Sequence, residues 1–129
     1  MRESKEARKQ RQAVEYTEFL DVLRRAGNVV EEEVRFHRKR KWRLDVTLPK
    51  ADLVWTYGTS SFGFSSPIAL EIEGRGRHQS FYGYSKDIEK YNEVTLAGYR
   101  LLRVTRDMIG NGEALELLSR AGVRVQPDA

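Results

Sequence analysis

The 129-residue chain contains no cysteine, which excludes a disulfide framework, a thiolate zinc site and a cysteine nucleophile. Its two histidines, His37 and His78, are too few for an imidazole-built zinc site, so any metal is expected on carboxylates. No apolar run approaches the roughly 20 residues that a membrane helix needs. Met1 to Glu6 is charged and leads into no apolar stretch, so a secretory signal is not expected and the chain reads as an intracellular, cytoplasmic domain. No glycine-rich loop followed by Lys-Ser/Thr occurs, which excludes a P-loop ATPase. Internal repeats and low-complexity tracts are likewise missing.

Charge is what the chain has in quantity. Charged residues make up 33% and hydrophobic ones 40%, enough apolar material for a modest core and against wholesale disorder. The length suits one domain over residues 1–129. Net charge is +4 and the pI about 9.5, which makes nucleic acid a candidate partner.

Periodicity divides the chain into alternating elements. Ser4 to Ala26 reads as a helix, with Tyr16, Phe19, Leu20 and Leu23 on one face, Ser4 at the cap and Gly27 at the end. Its basic start, within residues 1–12, is expected to fray or to reach a partner. Asn28 to Phe36 reads as a strand, His37 to Arg40 as a basic turn, and Lys41 to Leu48 as a strand. In that strand Trp42, Leu44, Val46 and Leu48 share one side. Asp52 to Thr56 is expected to extend the sheet briefly, and Gly/Ser-rich Tyr57 to Ser66 to form a loop or hairpin tip. Pro67 to Glu73 is the next strand and Gly74 to Ser80 a loop. Tyr84 to Ala97 is a second long helix capped by Ser85. Tyr99 to Val104 is a strand, Thr105 caps a short helix broken near Gly110 to Gly112, and Glu113 to Ala121 resumes it. Val123 to Val125 is expected as a last edge strand. The order, α-β-β-β-α-β followed by helix, predicts an α/β sandwich with a mixed sheet flanked by helices.

The acids carry the chemical information. Asp45 sits mid-strand between apolar Leu44 and Val46, and Glu71 and Glu73 stand two apart on another strand, hence on one face. Were the two strands neighbours, three carboxylates would converge and repel unless a divalent cation neutralised them. Hard oxygen ligands on rigid strands suit Mg²⁺ or Mn²⁺. Such an ion acidifies a bound water and stabilises charge on a phosphoryl group. The plainer alternative makes the acid faces the wet side of the sheet, although the second helix is expected to cover one face.

Five blocks in order carry a resemblance: Arg40-Lys41-Trp42-Arg43-Leu44-Asp45; Ile68-Ala69-Leu70-Glu71-Ile72-Glu73-Gly74; Gly76-Arg77-His78; Asp87-Ile88-Glu89-Lys90-Tyr91-Asn92; and Gly98 to Thr105. Together, over roughly residues 28–109, they resemble the PD-(D/E)XK nucleases, in particular small, often phage-encoded, restriction-endonuclease-like proteins. The resemblance implies a restriction-endonuclease-like fold with Asp45 and Glu71 as metal ligands and the carbonyl of Ile72 as a further one. The position that is usually lysine is Glu73 here. Either Lys90, on the second helix, supplies the missing ammonium, or Glu73 itself binds metal or acts as base. Relatives also place a glutamate on the first helix near the metals, for which Glu15 is the candidate.

The basic run Arg38, Lys39, Arg40, Lys41 and Arg43, with His37, precedes Asp45 and could hold a phosphate backbone beside the acids. Arg75, Arg77 and His78 follow Glu73 and suit the same task. Tyr57, Phe62, Phe64, Phe81, Tyr82 and Tyr84 could stack on unpaired bases, pack a dimer interface or cover the core. The expectation is therefore a Mg²⁺- or Mn²⁺-dependent endonuclease cutting DNA, with a Holliday junction resolved by a homodimer as the substrate form that suits so small a chain. The alternatives are a non-catalytic DNA-binding module on a nuclease fold and, with no motif to indicate it, a ribonuclease.

Overall fold

The computed structural model describes residues 2–74 and 81–127, at 81–84 the backbone alone. It is a mixed α/β structure with four helices among the described residues. Helix α1 (Lys5–Arg25) starts where the Ser4 hydroxyl accepts the Ala7 N–H at 3.0 Å. It is helical from its first basic turn, and Arg11 bonds Glu3 and Glu15 at 2.8 Å along its surface. Its far half buries Phe19, Leu20 and Leu23.

Strands β1 (Glu31–Arg35), β2 (Arg43–Leu48), β5 (Ile68–Glu73) and β6 (Arg100–Thr105) form one sheet in the order β1-β2-β5-β6. The first two pairings are antiparallel and β5 pairs parallel with β6. Parallel neighbours need a long crossover, and helix α2 (Phe81–Leu96) supplies it. Helices α3 (Arg106–Asn111) and α4 (Glu113–Arg120) follow β6. The larger core joins Phe19, Leu20 and Leu23 of α1 and Ile109, Ala114 and Leu118 of α3 and α4 to Val46, Leu48, Ile68, Leu70 and Val104. On the other face Val94 of α2 packs on Leu44 and Ala69. A strand sandwiched this way buries both sides, and Ile68, Ala69 and Leu70 are all fully buried.

Several expectations are corrected. The strand predicted from Asn28 begins at Glu31, because Asn28 is spent bridging the α1 end to the C-terminal segment: its side-chain amide donates to Leu23 O and Arg124 O, at 2.9 and 2.7 Å. The segment from Val123 to Val125 is not a strand; Val123 is buried in the core instead. Residues 52–57 do not extend the sheet. As β3 (Asp52–Tyr57) they pair with β4 (Ser60–Ser65), inside the stretch read as a loop or hairpin tip, to make a separate two-stranded hairpin. Its turn is permitted by Gly58, whose φ of +60° lies in the left-handed region. Ser85 does not cap α2, which starts at Phe81, but Thr105 caps α3 by accepting the Met108 N–H at 3.2 Å. Gly98 ends α2 at φ +94°, with the Gly98 and Tyr99 N–H groups donating back to Thr95 O and Val94 O.

Candidate active site

The β2–β5 ladder pairs Leu48 with Ile68, Thr47 with Ala69 and Val46 with Leu70, and then stops. The next residues in register are Asp45 and Glu71, and here side chains replace the backbone rungs. The Asp45 carboxylate accepts the Ile72 N–H at 2.8 Å, and the Glu71 carboxylate accepts the Asp45 N–H at 3.2 Å. The strict alternation expected of β2 fails at this point: Val46 and Leu48 face α1, whereas Leu44 packs beneath α2. Glu33, between the paired Glu32 and Val34 of β1, adopts φ +53° beside the same irregularity. The twist turns Asp45 towards a cavity of about 220 Å³ on the α1 side, lined by Tyr16, Glu32, Glu33, Asp45, Ile72 and Arg106.

Glu71 lies behind that cavity, buried, in contact with the Asp45 carboxyl and with Lys90 of α2. Lys90 Nζ stands 2.5 Å from Glu71 Oε1 and donates to the Arg43 carbonyl at 2.9 Å. Burial, and then the bond to Asp45, push the Glu71 carboxyl up to about 7, and Lys90 draws it part of the way back. The Tyr16 hydroxyl donates to Glu32 at 2.7 Å, and burial with that neighbour raises it above the ordinary phenol range.

Asp45, Glu71 and Lys90 are therefore brought together. The convergence of three carboxylates is not. Glu73 turns away to accept from the Tyr91 hydroxyl at 2.9 Å and to pair with Arg103, whose guanidinium lies 4.6 Å from the centre of the Tyr91 ring. The strands open beyond Leu70 and Arg103, next to Glu71 in the parallel register, claims the following acid. Among the described residues no group of three or more His, Asp or Glu is arranged to hold a metal ion. Two touching carboxylates beside a polar cavity are nonetheless a hard-oxygen donor set of the kind a small divalent cation takes, with the Ile72 carbonyl as the neighbouring backbone donor. Glu15 does not reach the site: it pairs with Arg11, and its carboxylate fills the space beside Gly110 that a Cβ there would need. The α1 residue at the cavity is its neighbour Tyr16, and the additional acids, Glu32 and Glu33, come from β1. Sequence reasoning missed both glutamates and Arg106. The run Glu31-Glu32-Glu33 within a segment read as Val-rich strand was the available signal.

The basic turn folds against α2. His37 Nδ1 accepts the N–H groups of Lys39 and Arg40, at 3.1 and 2.9 Å, while Nε2 lies 3.4 Å from Glu93. His37 thus shapes the turn. Arg40 pairs with Glu89 and lies 5.1 Å from the centre of the Trp42 ring. Arg38, Lys39, Lys41 and Arg43 are exposed. A second concavity of about 380 Å³, with Arg8, Gln12 and Gly74 in its walls, adjoins the first through Arg106. The other expected nucleic-acid contacts, Arg75, Arg77 and His78, lie outside the described residues, as do the side chains of Phe81, Tyr82 and Tyr84.

Comparison of the chain with protein-family models, curated proteins and solved structures returned no significant match. Among the described residues no helix is long and apolar enough to cross a membrane.

Proposed function

We propose that this protein is a divalent-metal-dependent endodeoxyribonuclease of the PD-(D/E)XK type, hydrolysing phosphodiester bonds, with a four-way junction cut by a homodimer as the substrate form that suits its size. The observation that carries the reading is the contact of Asp45 and Glu71 at the point where β2 and β5 part, with Lys90 on Glu71. A buried carboxyl pressed against a second, half-buried one, and pushed up to about 7 by that burial and contact, is costly as structure alone. As a cation site it has a purpose, since the ion replaces the proton. Asp45, Glu71 and the Ile72 carbonyl would hold Mg²⁺ or Mn²⁺, which when bound acidifies a water and stabilises charge on a phosphoryl group.

The chain's own residues account for the rest of the work. The Ile72 N–H fixes the Asp45 carboxylate, and the Asp45 N–H fixes Glu71, so the acids are oriented before substrate arrives. Lys90, held by Glu71 and the Arg43 carbonyl, keeps an ammonium beside the acids. From there it can hydrogen-bond the attacking water and stabilise negative charge, the task of the motif lysine that Glu73 cannot perform. Exposed Arg38, Lys39, Lys41 and Arg43 would hold the phosphate backbone.

The competing reading, a DNA-binding module without catalysis, draws support from the commitment of Glu73 to Arg103 and Tyr91. One experiment separates the two. Labelled four-way junction, linear duplex, single strand and RNA are incubated with Mg²⁺, Mn²⁺ or EDTA, with Asp45→Asn and Lys90→Met alongside. Metal-dependent cutting of DNA that both substitutions abolish supports the nuclease, and the preferred substrate names its task. Salt-sensitive binding with no cutting under either metal leaves the binding module, and cutting of RNA alone would replace both readings.

A further inference from the structure

The β3–β4 hairpin stands apart from both cores. Every residue of both strands is exposed, and an isolated two-stranded hairpin is marginally stable in water. Its register sets Leu53 opposite Phe64, Trp55 opposite Phe62 and Tyr57 opposite Ser60. Cross-strand partners share a face, so one side of the hairpin is an almost continuous apolar surface. Asp52, Val54, Thr56, Ser61, Gly63 and Ser65 take the other side.

The surface is large. Leu53, Trp55, Tyr57, Phe62 and Phe64 are 41%, 63%, 79%, 54% and 54% exposed. With aromatic side chains presenting 150–250 Å² each, they offer on the order of 600 Å², most of the roughly 800 Å² per partner that a standard interface buries. Scattered exposed hydrophobics need no explanation, but a contiguous patch of this size does.

Charge selects the occupant. No Lys, Arg, Asp or Glu occurs from Leu53 to Leu70 in a chain that is one-third charged. A platform for unpaired bases surrounds its aromatics with cations that track the phosphates, and a membrane-surface element carries Lys or Arg beside its apolar face. Cations gather only at the base of this hairpin, where Lys50, Arg120 and Arg124 line a concavity with Leu53 and Val54, and no charged residue stands in the strands beside Trp55, Tyr57, Phe62 or Phe64. A face whose aromatic end is apolar and uncharged can meet its own copy without burying like charges, as a two-fold interface requires. The hairpin is also presented firmly. Ser66 N–H bonds Ala51 O at 2.9 Å across its base, and the Arg100 guanidinium ties Asp52 O, Ser66 O and Ala121 O together at 3.2, 2.9 and 2.7 Å.

We infer that the Leu53–Trp55–Tyr57/Phe62–Phe64 face is the surface on which a second copy of this chain docks, hairpin against hairpin about a two-fold axis. This inference does not rest on the nuclease reading, and its test uses no substrate. Mass is measured by sedimentation equilibrium from about 1 to 100 µM for the full chain and for Trp55→Glu/Phe62→Glu. Both positions are exposed, so the variant keeps the circular dichroism of the parent. The expected result is a dimer in the parent whose dissociation constant rises at least a hundredfold in the variant.

A second measurement guards against an unforeseen folding defect. The chain has no cysteine, so Ser61→Cys, on the outer face of the hairpin, takes a single spin label. Sheets pack about 10 Å apart, so a hairpin-to-hairpin dimer places two labels roughly 20–30 Å apart, within reach of dipolar coupling. A parent that is monomeric at 100 µM overturns the inference. So does a dimer that survives in the variant or shows no coupling between labels, and so does a monomer whose Trp55 fluorescence, read in a Trp42→Phe background, is quenched by a single-stranded oligonucleotide.

Discussion

Asp45→Asn is expected to stabilise the metal-free protein at pH 8 while abolishing its response to divalent cations. The asparagine carbonyl keeps the bond from the Ile72 N–H, and its amide donates to Glu71, where the native carboxylate repels it. The magnitude follows from Glu71, whose carboxyl is pushed from an ordinary 4.5 up to about 7. Each pH unit of displacement is worth about 1.4 kcal/mol, so ionising Glu71 in the fold costs roughly 3 kcal/mol by pH 8. The sign is that of a raised carboxyl: the folded state keeps a proton that the unfolded chain releases, so this contribution to stability is complete below pH 4.5 and lost as pH rises through about 7. Burial is the larger cause and Asp45 the next, so the substitution should recover about 1 kcal/mol at pH 8, or about 3–5 °C in Tm, and almost nothing at pH 4.5. Asp45→Ala differs: it orphans the Ile72 N–H and should cost about 1–3 kcal/mol at pH 4.5, offset by about 1 kcal/mol at pH 8, where the relief of Glu71 is the same. Thermal unfolding in EDTA at pH 4.5 and 8 reads both. Adding Mn²⁺ at a hundred times its Kd should then raise the parent's stability by about 2.7 kcal/mol and leave Asp45→Asn unmoved. If Asp45→Asn destabilises as much as Asp45→Ala, or if its gain does not depend on pH, the account of a strained carboxylate pair is wrong.

Glu73→Lys writes the motif lysine into its usual position, yet it should restore nothing. The new ammonium would face Arg103 and leave the Tyr91 hydroxyl without its acceptor, so a loss of about 1–2 kcal/mol in urea unfolding is expected with no gain in cleavage. A marked rise in cleavage would show that Lys90 is not the working ammonium. In DNA binding followed against salt concentration, Arg38→Ala, Lys39→Ala and Lys41→Ala should each lower the logarithmic slope by about 0.9. Arg40→Ala should lower it less, because Glu89 already neutralises that guanidinium. Equal effects at all four positions would mean that the turn rearranges on binding.

Much of this protein was determined along the chain itself. Helix positions followed from caps and spacing, as at Ser4 and Thr105, because those signals act within one turn. The buried face of α1 followed from periodicity, since helical spacing fixes which side chains share a side. Proximity of Asp45 and Glu71 was foreseeable once their strands were taken as neighbours. What the tertiary structure alone decided was the fate of residues whose partners are distant in sequence. Glu73 was claimed by Arg103 and Tyr91, Glu15 settled against Gly110, and Glu32 and Glu33 arrived at the cavity from an edge strand. The irregularity that splits Leu44 from Val46 belongs to neither strand alone, because it arises where backbone rungs yield to carboxylates reaching across from the opposite strand. The hairpin shows the same division. Alternating Phe62 and Phe64 were visible among glycine and serine, but only pairing with Leu53 and Trp55 in register turned them into one apolar face, since a face of a sheet is made by two strands and not by one.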